Sequence, residues 1–270
     1  MVTKYYDVKQ RSDEWIKIRS SCDITASIAP ALLGYDENCS VAEMINRLAY
    51  RLDYDLSSNP FVINGINLES TARETLEIEL DKKINECGIF VFDYWLGGSP
   101  DGLVEGESAI VEIKCPYKNF EIKEKYIVQC LINMRLADVD KCYLYIYDHT
   151  GVNSKLETIV RDRDRESDIL RSLYKIKCDI PEYKKQLDNL LNEIVCYQCI
   201  SDEIKELETK KKELSAKIMN MTHNGQYCAK HKISHVIRDG AINYRKYCLD
   251  HGITVGEEYR GEPTKYLKIS

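Results

Sequence analysis

The spacing of apolar residues predicts an α/β fold, with a sheet flanked by helices and a helical C-terminal part. Three observations predict it. Short β-type runs cluster between Gly88 and Cys115. A helix-patterned stretch and a Tyr-rich strand, Cys142 to Tyr147, follow them. Beyond residue 160 charges dominate, and apolar residues recur in steps of four and three. With 270 residues and 44% hydrophobic content, the chain can bury one substantial core and carry an appendage. The expected division is a core over residues 1–160, a long helical segment (an outward arm or a hairpin) over 161–222, and a small α+β module over 223–270.

In order, Trp15, Ile18 and Arg19 are spaced for one helix, and a second short helix is expected from Thr25 to Leu33, stopped by Gly34. A loop-rich stretch with Asn59-Pro60 precedes a stronger helix between Gly65 and Lys83, whose inward face reads Glu69, Ala72, Leu76 and Leu80. Strand signals cover Gly88 to Phe92, Tyr94 to Gly97, Leu103-Val104 and Ala109 to Cys115. The last run is apolar on both faces except at Glu112 and Lys114. A helix from Glu121 to Leu136 carries Tyr126, Gln129, Asn133 and Leu136 along one face. Ile200, Ile204, Leu207, Lys211, Leu214, Ile218 and Met221 form a heptad-like stripe. Pro181 reads as the opening of that helix and His223-Asn-Gly-Gln as its end. Strand signals return at Ile233 to Ile237 and Tyr266 to Ile269.

The net charge of -6 argues against a protein that coats nucleic acid along its whole surface, because such binding neutralises many phosphates with Lys and Arg. It leaves room for a carboxylate cluster beside a basic groove. No apolar run follows a basic start, and nowhere do eighteen apolar residues stand in a row, so a soluble intracellular protein is expected. The eleven cysteines are odd in number and irregular in spacing, which reads as reduced thiols, mostly small buried hydrophobes.

The chemistry concentrates in Gly97-Gly-Ser-Pro-Asp-Gly-Leu-Val and Val111-Glu-Ile-Lys-Cys-Pro116. Residues two apart in a strand point to one side, so Glu112 and Lys114 project together from a buried face. A buried Glu112–Lys114 ion pair accounts for those two alone. It does not account for Asp101 in a Gly- and Pro-shaped turn one strand earlier. Asp101 and Glu112 can share a hard cation with the Ile113 carbonyl, as magnesium is held by one or two carboxylates and a substrate phosphate. Lys114 then orients the attacking water or offsets charge on the phosphate.

The chain resembles the PD-(D/E)XK nucleases, and within them the lambda exonuclease and YqaJ-type viral recombinase branch. Five motifs match in order: Gln10-Arg-Ser-Asp-Glu-Trp15 with Arg19 and Ile24-Thr-Ala-Ser27; Gly65 with Glu69 and Ala72; Ser99-Pro-Asp101; Glu112-Ile-Lys-Cys-Pro116; and Tyr126 with Gln129. The resemblance implies a restriction-endonuclease-like core with a central mixed sheet. It implies catalytic roles for Glu69, Asp101, Glu112, Lys114 and Gln129, with metal held by Asp101, Glu112, the Ile113 carbonyl and Glu69. Arg19, Ser27 and Ser99 are implied to hold the 5'-phosphate of a DNA end, and Ser27 is expected in the first turn of a helix, where free N–H groups favour an anion. Also implied are Mg2+ with Mn2+ as substitute, duplex DNA ends as substrate, 5'-to-3' resection to a 3' single strand, a single-strand annealing partner and a homotrimer. The helical C-terminal part departs from the compact members of the branch. An endonuclease on DNA or RNA and a non-catalytic scaffold are the alternatives. Cys196 and Cys199 with Cys228 and His231 have zinc-type spacing, but the pair sits inside a helical pattern.

Overall fold

The computed structural model describes residues 3–52, 59–116, 120–148, 150, 152–235, 244–252 and 254. In chain order the elements are β1 (Thr3–Tyr6), α1 (Asp13–Ser21), β2 (Ile24–Thr25), α2 (Ala29–Leu32), α3 (Val41–Tyr50), α4 (Pro60–Leu80), β3 (Ile84–Asn85), β4 (Ile89–Phe92), β5 (Leu96–Gly98), β6 (Gly102–Val104) and β7 (Ala109–Lys114). There follow α5 (Glu124–Ala137), β8 (Lys141–Tyr147), β9 (Ser154–Val160), α6 (Arg163–Met221), β10 (Tyr227–Cys228), β11 (His231–Lys232) and α7 (Tyr244–Asp250). The chain divides into two units, Met1–Leu187 and Asp188–Ser270.

The first unit is built on a mixed five-stranded sheet in the order β3-β6-β7-β8-β9. β7 and β8 run parallel over six pairs, from Ala109↔Lys141 to Lys114↔Ile146. A strand paired on both sides and covered on both faces must be apolar throughout, which is why Ala109, Ile110, Val111 and Ile113 are all buried. The alternation of β7 sorts its neighbours. Ile110 joins the core formed with α2 and α5, whereas Val111 and Ile113 join Ala72 and Leu76 of α4. A second four-stranded sheet, β1-β4-β5-β2, adds to the single central sheet expected. In it β2 pairs parallel to β5, Ile24↔Leu96 and Thr25↔Gly97.

Several boundaries differ from the sequence reading. Residues Ile24–Thr25 are a strand, and the short helix behind them spans Ala29–Leu32; Ser27 therefore precedes the helix instead of lying in its first turn. The stretch before Asn59 contains α3, whose Ser40 Oγ accepts from the Glu43 N–H at 3.2 Å. Pro60 opens α4, as its fixed φ and missing N–H allow. Pro181 lies inside α6 rather than at its start. The first turns of α6 bury Ile169 and Leu173 in the core of the first unit, beyond the expected boundary at residue 160. Cys196 and Cys199 lie within α6 and mark no bend. In the second unit β10 and β11 form a hairpin with Cys228 opposite His231. Residues 236–237 and 266–269, where further strand was expected, lie outside the described residues. Cys87, Cys130 and Cys142 are buried, but Cys178, Cys196, Cys199 and Cys228 are exposed, so only part of the set serves as core. Among the described residues no helix is long and apolar enough to cross a membrane.

Candidate active site

Glu112 shares its face of β7 with Ile110 and looks toward α5. It is 1% exposed, and an unmet carboxylate there would cost several kcal/mol. Three donors meet it. Oε1 accepts from Lys114 Nζ at 2.6 Å and from Gln129 Nε2 at 2.5 Å, and Oε2 accepts from Asn133 Nδ2 at 2.8 Å. Gln129 and Asn133 stand one helical turn apart on α5 and so reach the same target. Burial pulls the Lys114 pKa down, but Glu112 and Asp101 more than reverse it, so the ammonium holds its proton above the usual lysine range. Its Nζ also lies 5.8 Å from the centroid of the Tyr126 ring.

Asp101 enters from the turn between β5 and β6. Its N–H donates to the Val111 carbonyl at 2.9 Å, and the Ile113 N–H donates to its Oδ2 at 2.6 Å. The turn is held from behind, because Gln10 Nε2 donates to the carbonyls of Cys87 at 3.0 Å and Pro100 at 2.9 Å. Burial, and after it the charge of Glu112, push the Asp101 carboxyl up to about 8; Glu69 adds to the rise, against the pull of Lys114 and the Ile113 N–H. Two carboxyls in one polar pocket thus repel unless a cation joins them. They offer oxygen donors, the set a hard divalent ion takes.

Glu69 reaches Asp101 electrostatically, adding to the rise of its carboxyl, but is held by other partners. α4 packs on the Val111 and Ile113 face of β7, opposite the face that carries Glu112, and both Glu69 oxygens are held by arginines, Arg11 at 2.6 Å and Arg73 at 2.9 Å. Among the described residues no three His, Cys, Asp or Glu side chains converge as a metal cage. That covers Glu69 with Asp101 and Glu112, and equally Cys196 and Cys199 with Cys228 and His231.

Arg19, Ser27 and Ser99 do come together, through β2–β5 pairing and the Trp15 side chain. Arg19 donates to Ser27 Oγ at 2.7 Å, its guanidinium lies 5.1 Å from the centroid of the Trp15 ring, and Trp15 Nε1 donates to Ser99 Oγ at 2.8 Å. Thr25 Oγ1 lies 3.1 Å from Ser27 Oγ. Burial lowers the Arg19 pKa, and among the described residues it makes no ion pair with a carboxylate. Its polar contact here is a hydroxyl. A desolvated guanidinium flanked by hydroxyl groups suits an anion.

Three residues of this region went unassigned in the sequence reading. Asn133 was placed on the correct face of α5 without a role, although its spacing of four from Gln129 carried the signal. Gln10 and Arg73 act through contacts 90 and 4 residues distant; only the second is a periodic, readable one.

Comparison with known proteins bears on this arrangement. Residues 14–140 match the family model of the YqaJ-like viral recombinase domain. No curated protein matches the chain. The crystal structure of an alkaline exonuclease, LHK-Exo, from Laribacter hongkongensis is similar with a TM-score of 0.54 at 22% identity, covering 68% of this chain and 100% of that one. LHK-Exo in complex with dAMP is similar with a TM-score of 0.52 at 24% identity, over 66% and 100% of the two chains. These structures share the fold. The segment from residue 14 to residue 140, which holds Asp101, Glu112, Lys114 and the Arg19–Ser27–Ser99 group, is the part of the chain that matches the YqaJ-like viral recombinase domain, and the fold around it is that of the alkaline exonuclease structures.

Proposed function

We propose that this chain is a magnesium-dependent DNA exonuclease that degrades linear duplex in the 5'-to-3' direction, leaving 3' single strands for recombination or repair through an annealing partner. The observation that carries the reading is the Asp101–Glu112–Lys114 group, two carboxylates that act on each other electrostatically and an ammonium bonded to one of them, held by strand, turn and helix contacts. Asp101, Glu112 and the Ile113 carbonyl would hold the metal. Manganese substitutes. When bound, the ion supplies Lewis-acid charge at the scissile phosphate. Lys114 orients the attacking water or offsets charge on the phosphoryl oxygens, and Gln129 with Asn133 fixes the Glu112 carboxylate. Glu69 acts from the water side of the site, with Arg11 and Arg73 holding its orientation. Arg19 with Ser27 and Ser99 receives the terminal 5'-phosphate. The match to the YqaJ-like viral recombinase domain and the likeness to alkaline exonucleases support DNA as substrate.

The test is cleavage of linear duplex with 5'-phosphate, the same duplex with 5'-hydroxyl, and closed circular DNA, each with magnesium or with chelator. Cleavage of the linear forms in magnesium alone, faster with 5'-phosphate, is expected. Asp101→Ala and Glu112→Ala are expected to abolish it, and Lys114→Ala to slow it by about 10² to 10³. Arg19→Ala should erase the preference for the phosphorylated end. Wild-type rates in the Asp101 or Glu112 variant defeat the assignment, and cutting of closed circles at the linear rate replaces exonuclease by endonuclease.

A further inference from the structure

Within the second unit, α6 carries an apolar seam from Tyr197 to Met221 with strictly alternating steps of three and four. The apolar side chains of this seam are 50 to 71% exposed. Helices of this kind owe their stability to burial of such a face, and a regular seam of β-branched Ile and γ-branched Leu is the surface that pairs with another helix. We propose that residues 197–221 pair with the same segment of a second copy of this chain, in antiparallel orientation.

Two features of the seam select that occupant and that direction. The steps read identically from either end, so a reversed copy matches along the whole length: Tyr197 faces Met221, Ile200 faces Ile218, and Ile204 faces Leu214. A parallel copy meets conflict. It sets Lys211 against its own counterpart inside the seam, and it places Glu203 beside Glu208 on the flank, both like-charge contacts. Reversal removes both. Lys211 then lies over Leu207, its alkyl stem on the leucine and its ammonium at the rim, and Glu203 flanks Lys217 as an opposite-charge pair at both ends; these two pairs are set against one meeting of Lys210 with Lys210 and one of Glu208 with Glu208 at the centre. This assembly surface belongs to the second unit alone and does not depend on the catalytic reading.

Sedimentation equilibrium of the full chain, with and without Leu207→Glu plus Leu214→Glu, tests the pairing. Zero-length carbodiimide cross-linking of mixed heavy- and light-isotope wild-type chains tests the direction without any substitution. A wild-type mass twice that of the chain, reduced to one chain by the double substitution, is expected, together with a Glu203–Lys217 cross-link joining heavy to light copies. A wild-type chain that stays monomeric into the high micromolar range overturns the proposal. So does an oligomer that survives the double substitution, and so does a dimer whose inter-copy links lack Glu203–Lys217.

Discussion

At the scale of single residues, the site sets stability against readiness for a cation. Asp101 has a folded pKa of about 8 against 3.8 for the free group, so between those values the folded chain holds a proton that the unfolded chain has released. Stability then falls as pH rises through this window, and the penalty is complete above about 8. Asp101→Asn keeps an oxygen to accept the Ile113 N–H and removes the titration. In metal-free buffer near pH 9 the variant is expected to be more stable than wild type by on the order of 1–3 kcal/mol, while cleavage is lost. Magnesium should raise the melting temperature of wild type and leave the variant unmoved. Thermal unfolding at pH 6 and pH 9, with and without magnesium, checks this; an equal or lower stability of the variant at pH 9 refutes it.

At the scale of elements, the distance from α5 to the β5 turn decides whether Asn133 can reach Glu112. A Cβ on Gly98 would collide with Asn133 Oδ1 and Leu136 Cδ1, so Gly98→Ala must displace the ends of both side chains, Asn133 from its place beside Glu112. A loss of about 1–3 kcal/mol is expected, with reduced cleavage from a loosened Glu112; an unchanged urea midpoint would contradict it. Much of this layer was legible in the sequence. β7 was readable because a doubly covered strand is apolar throughout, and α4 and α5 because their stripes keep a period near 3.6. Thr25, the second residue of the strand Ile24–Thr25, was read as the start of a helix because two residues carry no period, and the strand's parallel partner lies some 70 positions away. α3 was passed over although Ser40 and Glu43 have capping-box spacing. The arginine partners of Glu69 were hidden for a different reason: helix periodicity says which residues face inward, but not which side chains from distant segments, such as Arg11, meet them.

At the scale of the whole molecule, the beginning of α6 belongs to the first unit. Glu166 is buried and paired with Arg161 at 2.7 Å and Arg135 at 3.2 Å, and Leu173 is fully buried. A chain ending at Leu187 is therefore expected to be soluble and to keep metal-dependent cleavage. One ending at Asp164 loses Ile169 and Leu173 from the core and is expected to unfold or aggregate. Circular dichroism and the cleavage assay on the two truncations decide it, and equal behaviour would show that the early turns of α6 are dispensable.

The Gln10 amide that spans the carbonyls of Cys87 and Pro100 has a consequence for synthesis. It closes a loop of some 90 residues around the turn that presents Asp101, and Glu112 is complete only when Asn133 has been made. No contiguous piece shorter than about residues 10 to 133 contains every contact that shapes the site, so a growing chain on the ribosome remains chemically silent until most of its first unit has emerged and closed.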